Sequence, residues 1–246
     1  MTRKKISARI GQPLPSLRLS LKRIADPRRA KLQLRFFKTG VGEYGAGDRF
    51  LGITVPALRA LARQYRDLTL KDVDSLLRSP WHEERLLALL LWVDQYRRGD
   101  VDRRRRIYNK YLRSTRHINN WDLVDVSAEH IVGAFLADKD KRVLFRLARS
   151  ANLWERRIAI LATFHFIRHD RFTEILKIAT LLLHDEHDLI HKAVGWMLRE
   201  VGKRDRPRLE RFVIRHQNNM PRTMLRYAIE HLPAQRRRCY LQGTAG

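Results

Sequence analysis

The sequence predicts an all-α protein, and three observations carry that prediction. Pro is scarce at 8 of 246 residues, Gly is modest at 12, and alternation of β-branched residues is nearly absent. Apolar residues recur at helical spacing through most of the chain, as in Leu58, Leu61, Ala62 and Tyr65. Since an amphipathic helix repeats its apolar face every three to four residues, this pattern favours helices over strands.

Breaker residues divide the chain into predicted helices. Ser79-Pro80 has the cap-then-Pro pattern of a helix start, and Gly99-Asp100, Asn119-Asn120 and Asn152 mark further boundaries. The predicted helices, in order, cover 17–37, 55–66, 70–78, 80–98, 101–114, 120–137, 140–149, 153–168, 171–184, 188–201, 206–217 and 221–231.

A weak internal repeat suggests how these helices are arranged. Segments starting at Trp154, Asp188 and Thr223 align on three alanines, Ala159, Ala193 and Ala228, which lie 34 and 35 residues apart. A period of this length fits a solenoid of HEAT-like antiparallel helix pairs, which would offer a concave face. Periodicity alone leaves an irregular helical bundle open. The predicted domain covers 16–240, between a flexible basic tail at 1–15 and a C-terminal tail at 241–246.

The charge balance points to an acidic partner. The chain has 51 Lys and Arg against 26 Asp and Glu, a formal charge of +25. This indicates nucleic acid first and an anionic membrane surface second. Basic residues concentrate in 97–116 and 203–238, although any single arginine there is compatible with a solvated face. The longest apolar run, Leu86–Val93, is too short to span a bilayer, and the single Cys239 excludes an internal disulfide.

The N-terminal part offers two weaker features. The first residues are basic without an apolar segment of signal-peptide type, which favours a tail, with a transit peptide as the alternative. Four glycines between Gly40 and Gly47 interrupt the helical pattern. They lack the Gly-Lys-Ser/Thr ending of a phosphate loop, so a flexible connection that places Tyr44 near a ligand is expected; a mere linker is the alternative.

The main candidate for chemistry is the stretch Ile118–Asp125. A helix starting at Asn119-Asn120 places Trp121 and Asp125 on one face, four residues apart. A carboxylate weakens binding to phosphates, so on a basic protein it suggests chemistry on a polyanion. The alternative is structural: Trp121 lies in the core and Asp125 caps a helix or pairs with an arginine. No zinc motif or serine-nucleophile motif is visible, so neither a metal nor a cofactor is expected.

Several stretches together carry a family resemblance. They are FFKTGVGEYGAGDRFLGITVPALRALA, INNWDLVD, NLWERRIAI, LIHKAVGWMLREVGKRD and MPRTMLRYAIEHLP. In this order they resemble the AlkD-type DNA alkylation repair proteins, which are alkylpurine DNA glycosylases. The resemblance implies an all-α solenoid of HEAT-like antiparallel helix pairs that cradles duplex DNA in a basic concave groove. It also implies hydrolysis of the glycosidic bond of purines alkylated at ring nitrogen 3 or 7.

The resemblance also implies roles for individual residues. The family's catalytic Trp-x-x-x-Asp element matches Trp121 and Asp125, and its second active-site tryptophan matches Trp196. The arginine that contacts DNA beside the lesion matches Arg157. At Asp188 and Leu189 relatives often have aromatic residues, which leaves the lesion range open. The predicted catalytic residues are Asp125, Trp121 and Trp196, and the predicted DNA-binding residues are Arg157, Lys192, Tyr44 and Arg156.

Two hypotheses of different class follow. The first is a glycosylase without strand-cleaving activity, since no lysine nucleophile is required; it acts as a cytoplasmic, nucleoid-associated monomer on duplex DNA with alkylated purines. The second is a non-catalytic DNA-binding scaffold on the same fold. Retention of Trp121, Asp125, Arg157 and Trp196 favours the enzyme. A protein-binding helical array explains the charge poorly.

Overall fold

The structure, a computed structural model, describes residues 13–243, and the regular elements there are all helical. The nearest approach to a sheet is an isolated bridge between Arg49 and Trp81. The all-α prediction is therefore confirmed. The chain forms two compact units, the first ending at Arg103 and the second beginning at Arg104.

The first unit is organised around one long buried helix. Its helices are α1 (Leu14–Arg23), α2 (Pro27–Phe36), α3 (Val55–Gln64), α4 (Leu70–Leu77) and α5 (His82–Arg98). α3 and α4 pack on α5, whose residues from His82 to Val93 are all buried. The segment before α3 passes close to the start of α2: a Cβ at Gly52 would lie 2.0 Å from the carbonyl oxygen of Asp26, and the residue has φ +78°. Only glycine fits that crossing.

The second unit contains two layers of helices. After α6 (Val101–Arg113), which begins just before the division, come α7 (Trp121–Asp125), α8 (Arg142–Ala148), α9 (Leu153–Ala162), α10 (Phe164–Ile167), α11 (Thr173–Leu181), α12 (Asp188–Gly202), α13 (Arg206–His216), α14 (Arg222–Ala228) and α15 (Ala234–Gln242). α12 packs between α9 and α14, while α8, α11 and α13 pack against this row. A Cβ at Gly195 would lie 2.5 Å from the Met224 carbonyl oxygen, so this glycine permits the close approach of α12 and α14.

The repeat inferred from the sequence corresponds to this row. Ala159, Ala193 and Ala228 lie on α9, α12 and α14, and all three are buried. The recurrence thus marks three helices of one layer. The HEAT-like character of the array and its basic concave groove stay predictions.

Three predicted helices are broken in the structure. The helix predicted for 17–37 is split because Pro27 starts α2 and the Asp26 side chain caps it, accepting from the backbone N–H of Arg28 and Arg29. The helix predicted for 120–137 leaves α-geometry after Asp125 and continues as a π-helical turn over Glu129–Gly133. The helix predicted for 153–168 breaks at Thr163, whose hydroxyl donates to the Ile160 carbonyl.

At both ends, the helical region of the structure extends beyond the predicted helices. α1 begins at Leu14 and α15, which the sequence pattern did not predict, ends at Gln242. α15 buries little beyond Tyr240, so it lacks the apolar periodicity on which such a prediction rests. Most of the predicted N-terminal tail, 1–12, lies outside the described residues, as do 244–246. The single domain at 16–240 stays a prediction.

Within residues 13–243, no helix combines the length and the apolar character needed to cross a lipid bilayer.

Candidate active site around Asp125

Helix α7 presents the two residues that the sequence singled out. Trp121 is its first residue and Asp125 its last. The buried Asn120 side chain caps the helix by accepting the Trp121 N–H at 2.8 Å. Leu123 and Val124 are buried and anchor the helix, which leaves Trp121 and Asp125 half-buried at its two ends.

Asp125 forms a two-pronged ion pair with Arg157 of α9. The Arg157 Nε donates to Oδ1 at 2.9 Å and Nη2 donates to Oδ2 at 2.8 Å. Nη1 of the same guanidinium donates to the Leu189 carbonyl oxygen in the first turn of α12. The arginine side chain is 6 % exposed and the carboxylate 17 % exposed. Arg157 therefore joins α7, α9 and α12 and fixes the plane of the carboxylate.

Buried hydrogen bonds formed by Ser127 and Tyr111 support the C-terminal end of α7. The Ser127 hydroxyl donates to the Leu123 carbonyl at 2.6 Å, and the Tyr111 hydroxyl donates to Ser127 Oγ at 2.9 Å. Tyr111 is fully buried, and burial strongly raises the pKa of its hydroxyl, with the Asp125 charge adding to the shift. Tyr111 thus stays a neutral donor and fixes the turn that follows Asp125.

The surroundings of Asp125 disfavour the ionised form of its carboxyl group. Burial raises the pKa of Asp125 above its usual value, and the neighbouring Asp122 raises it further. The Arg157 guanidinium opposes both by its charge and its hydrogen bonds. A carboxylate that is buried yet partly open to solvent, with a perturbed pKa, is the kind of group found at catalytic sites as well as in structural ion pairs.

Trp196 lies further along α12, about two helical turns beyond Leu189. It is half-buried, and its indole meets the Phe164 ring edge-on with centroids 5.9 Å apart. The Arg168 guanidinium covers Phe164, 4.5 Å from the ring centroid. Gly195 holds the backbone here against α14, so the position of the tryptophan is set by helix packing.

Comparisons with known proteins identify the family of the chain. Residues 17–232 match the family model described as DNA alkylation repair enzyme. The chain belongs to this family. Among solved structures it is similar to one described as a predicted DNA alkylation repair enzyme from Enterococcus faecalis, with a TM-score of 0.67 and 18 % identity over 85 % of this chain and 97 % of that one. At this identity the likeness shows the fold alone. No curated protein matches the chain.

In this member of the DNA alkylation repair enzyme family, two predicted DNA-binding residues make local contacts. Arg156 donates to both Asp185 carboxylate oxygens through Nε and Nη2, and through Nη1 to the carbonyls of Ser150 and Ala151. Lys192 pairs with Asp188, one turn earlier on α12, at 2.5 Å. These contacts describe the protein without DNA, and the DNA-binding roles of both residues stay predictions.

The predicted DNA-binding roles of Arg157 and Tyr44 also stay predictions. Three of the five N–H groups of Arg157 are used by Asp125 and Leu189, so a phosphate contact would fall to the other two. Tyr44 is half-buried in the glycine-rich loop of the first unit. There Gly42 and Gly47 have positive φ, and the N–H of Gly45 donates to the Lys38 carbonyl, so the loop has a defined turn structure.

Sequence reasoning missed the residues that support the site. Tyr111, Ser127 and Phe164 carry no motif of their own. The position of Tyr111 on an apolar helix face predicts its burial, but it does not predict the hydrogen bond between its hydroxyl and Ser127. The pairing of Asp125 with an arginine was foreseen as the structural alternative, without indicating which arginine.

Proposed function

We propose that this protein is a DNA glycosylase that hydrolyses the glycosidic bond of purines alkylated at ring nitrogen 3 or 7 in duplex DNA. The observation that carries the proposal is Asp125: a partly exposed carboxylate held in a fixed plane by Arg157, in a chain of the DNA alkylation repair enzyme family. Trp121 and Trp196, the two tryptophans that the family resemblance assigns to the same site, are also half-buried.

The chemistry of the substrate fits a site with one carboxylate. Alkylation at nitrogen 3 or 7 gives the purine a positive charge, so the base departs as a neutral molecule without a general acid. Departure leaves positive charge on the deoxyribose, as in other glycosidic hydrolyses. The protein therefore has to stabilise that charge and direct water to the sugar carbon.

Asp125 has the features needed for both tasks. A carboxylate has about four lone-pair sites, and Arg157 takes one on each oxygen, which leaves acceptor capacity on the partly exposed side. Because the group is held in place before the reaction, it stabilises the cationic sugar without reorganising. Trp121 and Trp196 would offer π-faces to the same positive charge. Arg157 acts as a positioning residue for the carboxylate.

The charge of the protein supports the choice of partner. A net charge of +25 favours duplex DNA as the partner, with affinity that falls as salt rises. Arg157, Lys192, Tyr44 and Arg156 are the proposed DNA-binding residues. The protein would act as a monomer near the nucleoid, in base excision repair, without a metal or cofactor and without cleaving the strand.

A non-catalytic DNA-binding scaffold is the second candidate, and the ion pair is compatible with it. Arg157 neutralises much of the Asp125 charge, which is what a purely structural pair would do. Buried pairs of this kind often contribute little net stability, so their presence alone does not decide between the two functions.

The deciding experiment measures release of 7-methylguanine and 3-methyladenine from methylated duplex DNA under single-turnover conditions. We expect the wild-type protein to release both, and Asp125→Asn to slow release about 100- to 1000-fold, the effect of removing one preorganised electrostatic group. DNA binding should be retained, since the substitution removes a negative charge. Release by wild type that does not exceed the DNA-only blank leaves the scaffold as the function.

A double variant separates a structural loss from a catalytic one. Asp125→Asn leaves Arg157 without its counter-ion, so stability can fall; Asp125→Asn with Arg157→Gln removes both charges and should recover part of that stability. Excision should stay low in the double variant. Recovery of excision together with stability would show that the carboxylate acts only through the fold.

A further inference from the structure

A second basic surface lies on helices that carry none of the predicted site residues. α11 and α13 enclose an open cavity of about 350 Å³, which includes Lys177, Arg211 and Arg215 among its lining residues and no carboxylate. The predicted site residues of the second unit lie instead on α7, α9 and α12. This surface, called the α11–α13 cavity below, is not used by the proposed reaction.

The cations of this cavity are available to a ligand. Lys177, Arg211 and Arg215 are exposed, and within residues 13–243 none of the three forms an ion pair. A fourth cation, Arg208, is already held by Asp205 at 3.1 Å and lies over the Phe172 ring. Three unpaired cations around one cavity are a concentrated positive charge.

The geometry fits an extended polyanion better than a small anion. Arg211 and Arg215 lie one helical turn apart on α13, about 6 Å along the axis, and Lys177 faces them from α11. The backbone N–H groups of these helix-interior positions are used within the helix, so no backbone cradle for a single phosphate is present. One wall is aromatic, with the Phe212 and His216 rings 4.6 Å apart.

We infer that the α11–α13 cavity is a second nucleic-acid surface, which binds the phosphate backbone of a DNA segment other than the one at Asp125. Arg211 and Arg215 each take a phosphate of one strand, and Lys177 closes the contact from the facing helix. Non-specific phosphate contacts of this kind let a protein hold or move between DNA segments while it searches. An acidic protein segment would meet the same charges, and the experiment separates it from DNA.

The test is an acetylation footprint of the full-length protein with undamaged duplex DNA at low salt. Lys177 is modified with a lysine-acetylating reagent and quantified by mass spectrometry, with Lys71 as the internal reference. Lys71 is exposed on α4 and flanked by Asp72 and Asp74 one and three residues on, so it should not attract phosphates. We expect saturating duplex to slow acetylation of Lys177 several-fold and to leave that of Lys71 unchanged.

Two matched variants assign the protection to the cavity. Arg211→Gln with Arg215→Gln should abolish protection of Lys177, whereas Arg104→Gln with Arg105→Gln, an equal loss of charge on α6, should keep it. Protection that persists in the first variant, or Lys177 acetylated equally with and without duplex, overturns the proposal. Protection by polyglutamate but not by duplex overturns it in favour of an acidic protein partner.

The footprint is independent of the proposed glycosylase activity. The Arg211→Gln, Arg215→Gln variant should release alkylated bases at the wild-type rate, since neither residue belongs to the Asp125 site. If the wild-type protein releases no base, the proposed function fails while the footprint still reports on the cavity.

Discussion

Each unit of the protein contains an ion pair in which the arginine itself is buried, and the two pairs differ in what the carboxylate can still do. In the first unit Arg85 Nη2 donates to Asp48 Oδ1 at 2.6 Å, and in the second Arg157 makes two bonds to Asp125. The arginine side chains are equally buried, at 5 % and 6 % exposed. The Asp48 carboxylate is 4 % exposed, whereas that of Asp125 is 17 % exposed.

The Asp48 pair is enclosed by other contacts. Its second oxygen meets the His82 Nδ1 at 3.1 Å, and the His82 ring stacks on Phe50 with centroids 4.7 Å apart. The adjacent Glu83 accepts the backbone N–H groups of residues 51–53. This cluster fixes the segment after the glycine-rich loop. A buried carboxylate–arginine pair is therefore not by itself a sign of chemistry, and the solvent-facing side of Asp125 distinguishes it.

The largest expected effect is on stability at the enclosed pair. Asp48→Asn leaves Arg85 charged in the core, which should lower the free energy of unfolding by about 3–5 kcal/mol. Asp125→Asn should cost clearly less, because solvent reaches that site and burial already disfavours the charged form of Asp125. Chemical denaturation of the two variants measures the difference. Equal losses would contradict the distinction between an enclosed and an open pair.

A smaller effect is expected on the pH dependence of excision. Ionised Asp125 is the active form in the proposed reaction, so release falls as the pH drops through its raised pKa. Arg157→Gln removes the cation that holds this pKa down, so the acidic limb of the profile should move to higher pH. Single-turnover rates across pH measure it, after subtraction of spontaneous base loss from DNA alone.

The control for the pH profile is Arg142→Gln, which removes an equal charge from an exposed arginine that pairs with Asp140. The acidic limb of the pH profile of Arg142→Gln should coincide with that of the wild type. A limb that stays in place in Arg157→Gln would argue that the titrating group is not Asp125.

The smallest effect is expected at Asp122, three residues before Asp125 on the same short helix. Its side chain accepts the Leu123 N–H at 2.8 Å, and its charge contributes to the raised pKa of Asp125. Asp122→Asn should leave the excision rate at neutral pH nearly unchanged and move the acidic limb slightly to lower pH. A loss of excision as large as that of Asp125→Asn would transfer the catalytic assignment to Asp122.

Much of the fold could be predicted from local pattern. Helical periodicity predicted most elements, and the spacing of Ala159, Ala193 and Ala228 found the row formed by α9, α12 and α14. Prediction was wrong where a local contact competes with the helix, as at Asp26-Pro27 and Thr163. Periodicity cannot detect these breaks, since the apolar positions keep their spacing across them.

The sequence by itself determined the helical class, the strongly basic charge and the placement of Trp121 and Asp125 on one helix, because these depend on composition and on spacing within a single element. Tertiary structure alone decided that Asp125 meets Arg157, that Tyr111 supports the turn behind it, and that Lys177 faces Arg211 and Arg215. Those contacts join residues far apart in the chain, so they exist only once helix packing has placed α7, α9, α11 and α13. The same packing sets burial, and burial is what separates the enclosed Asp48 from the open Asp125.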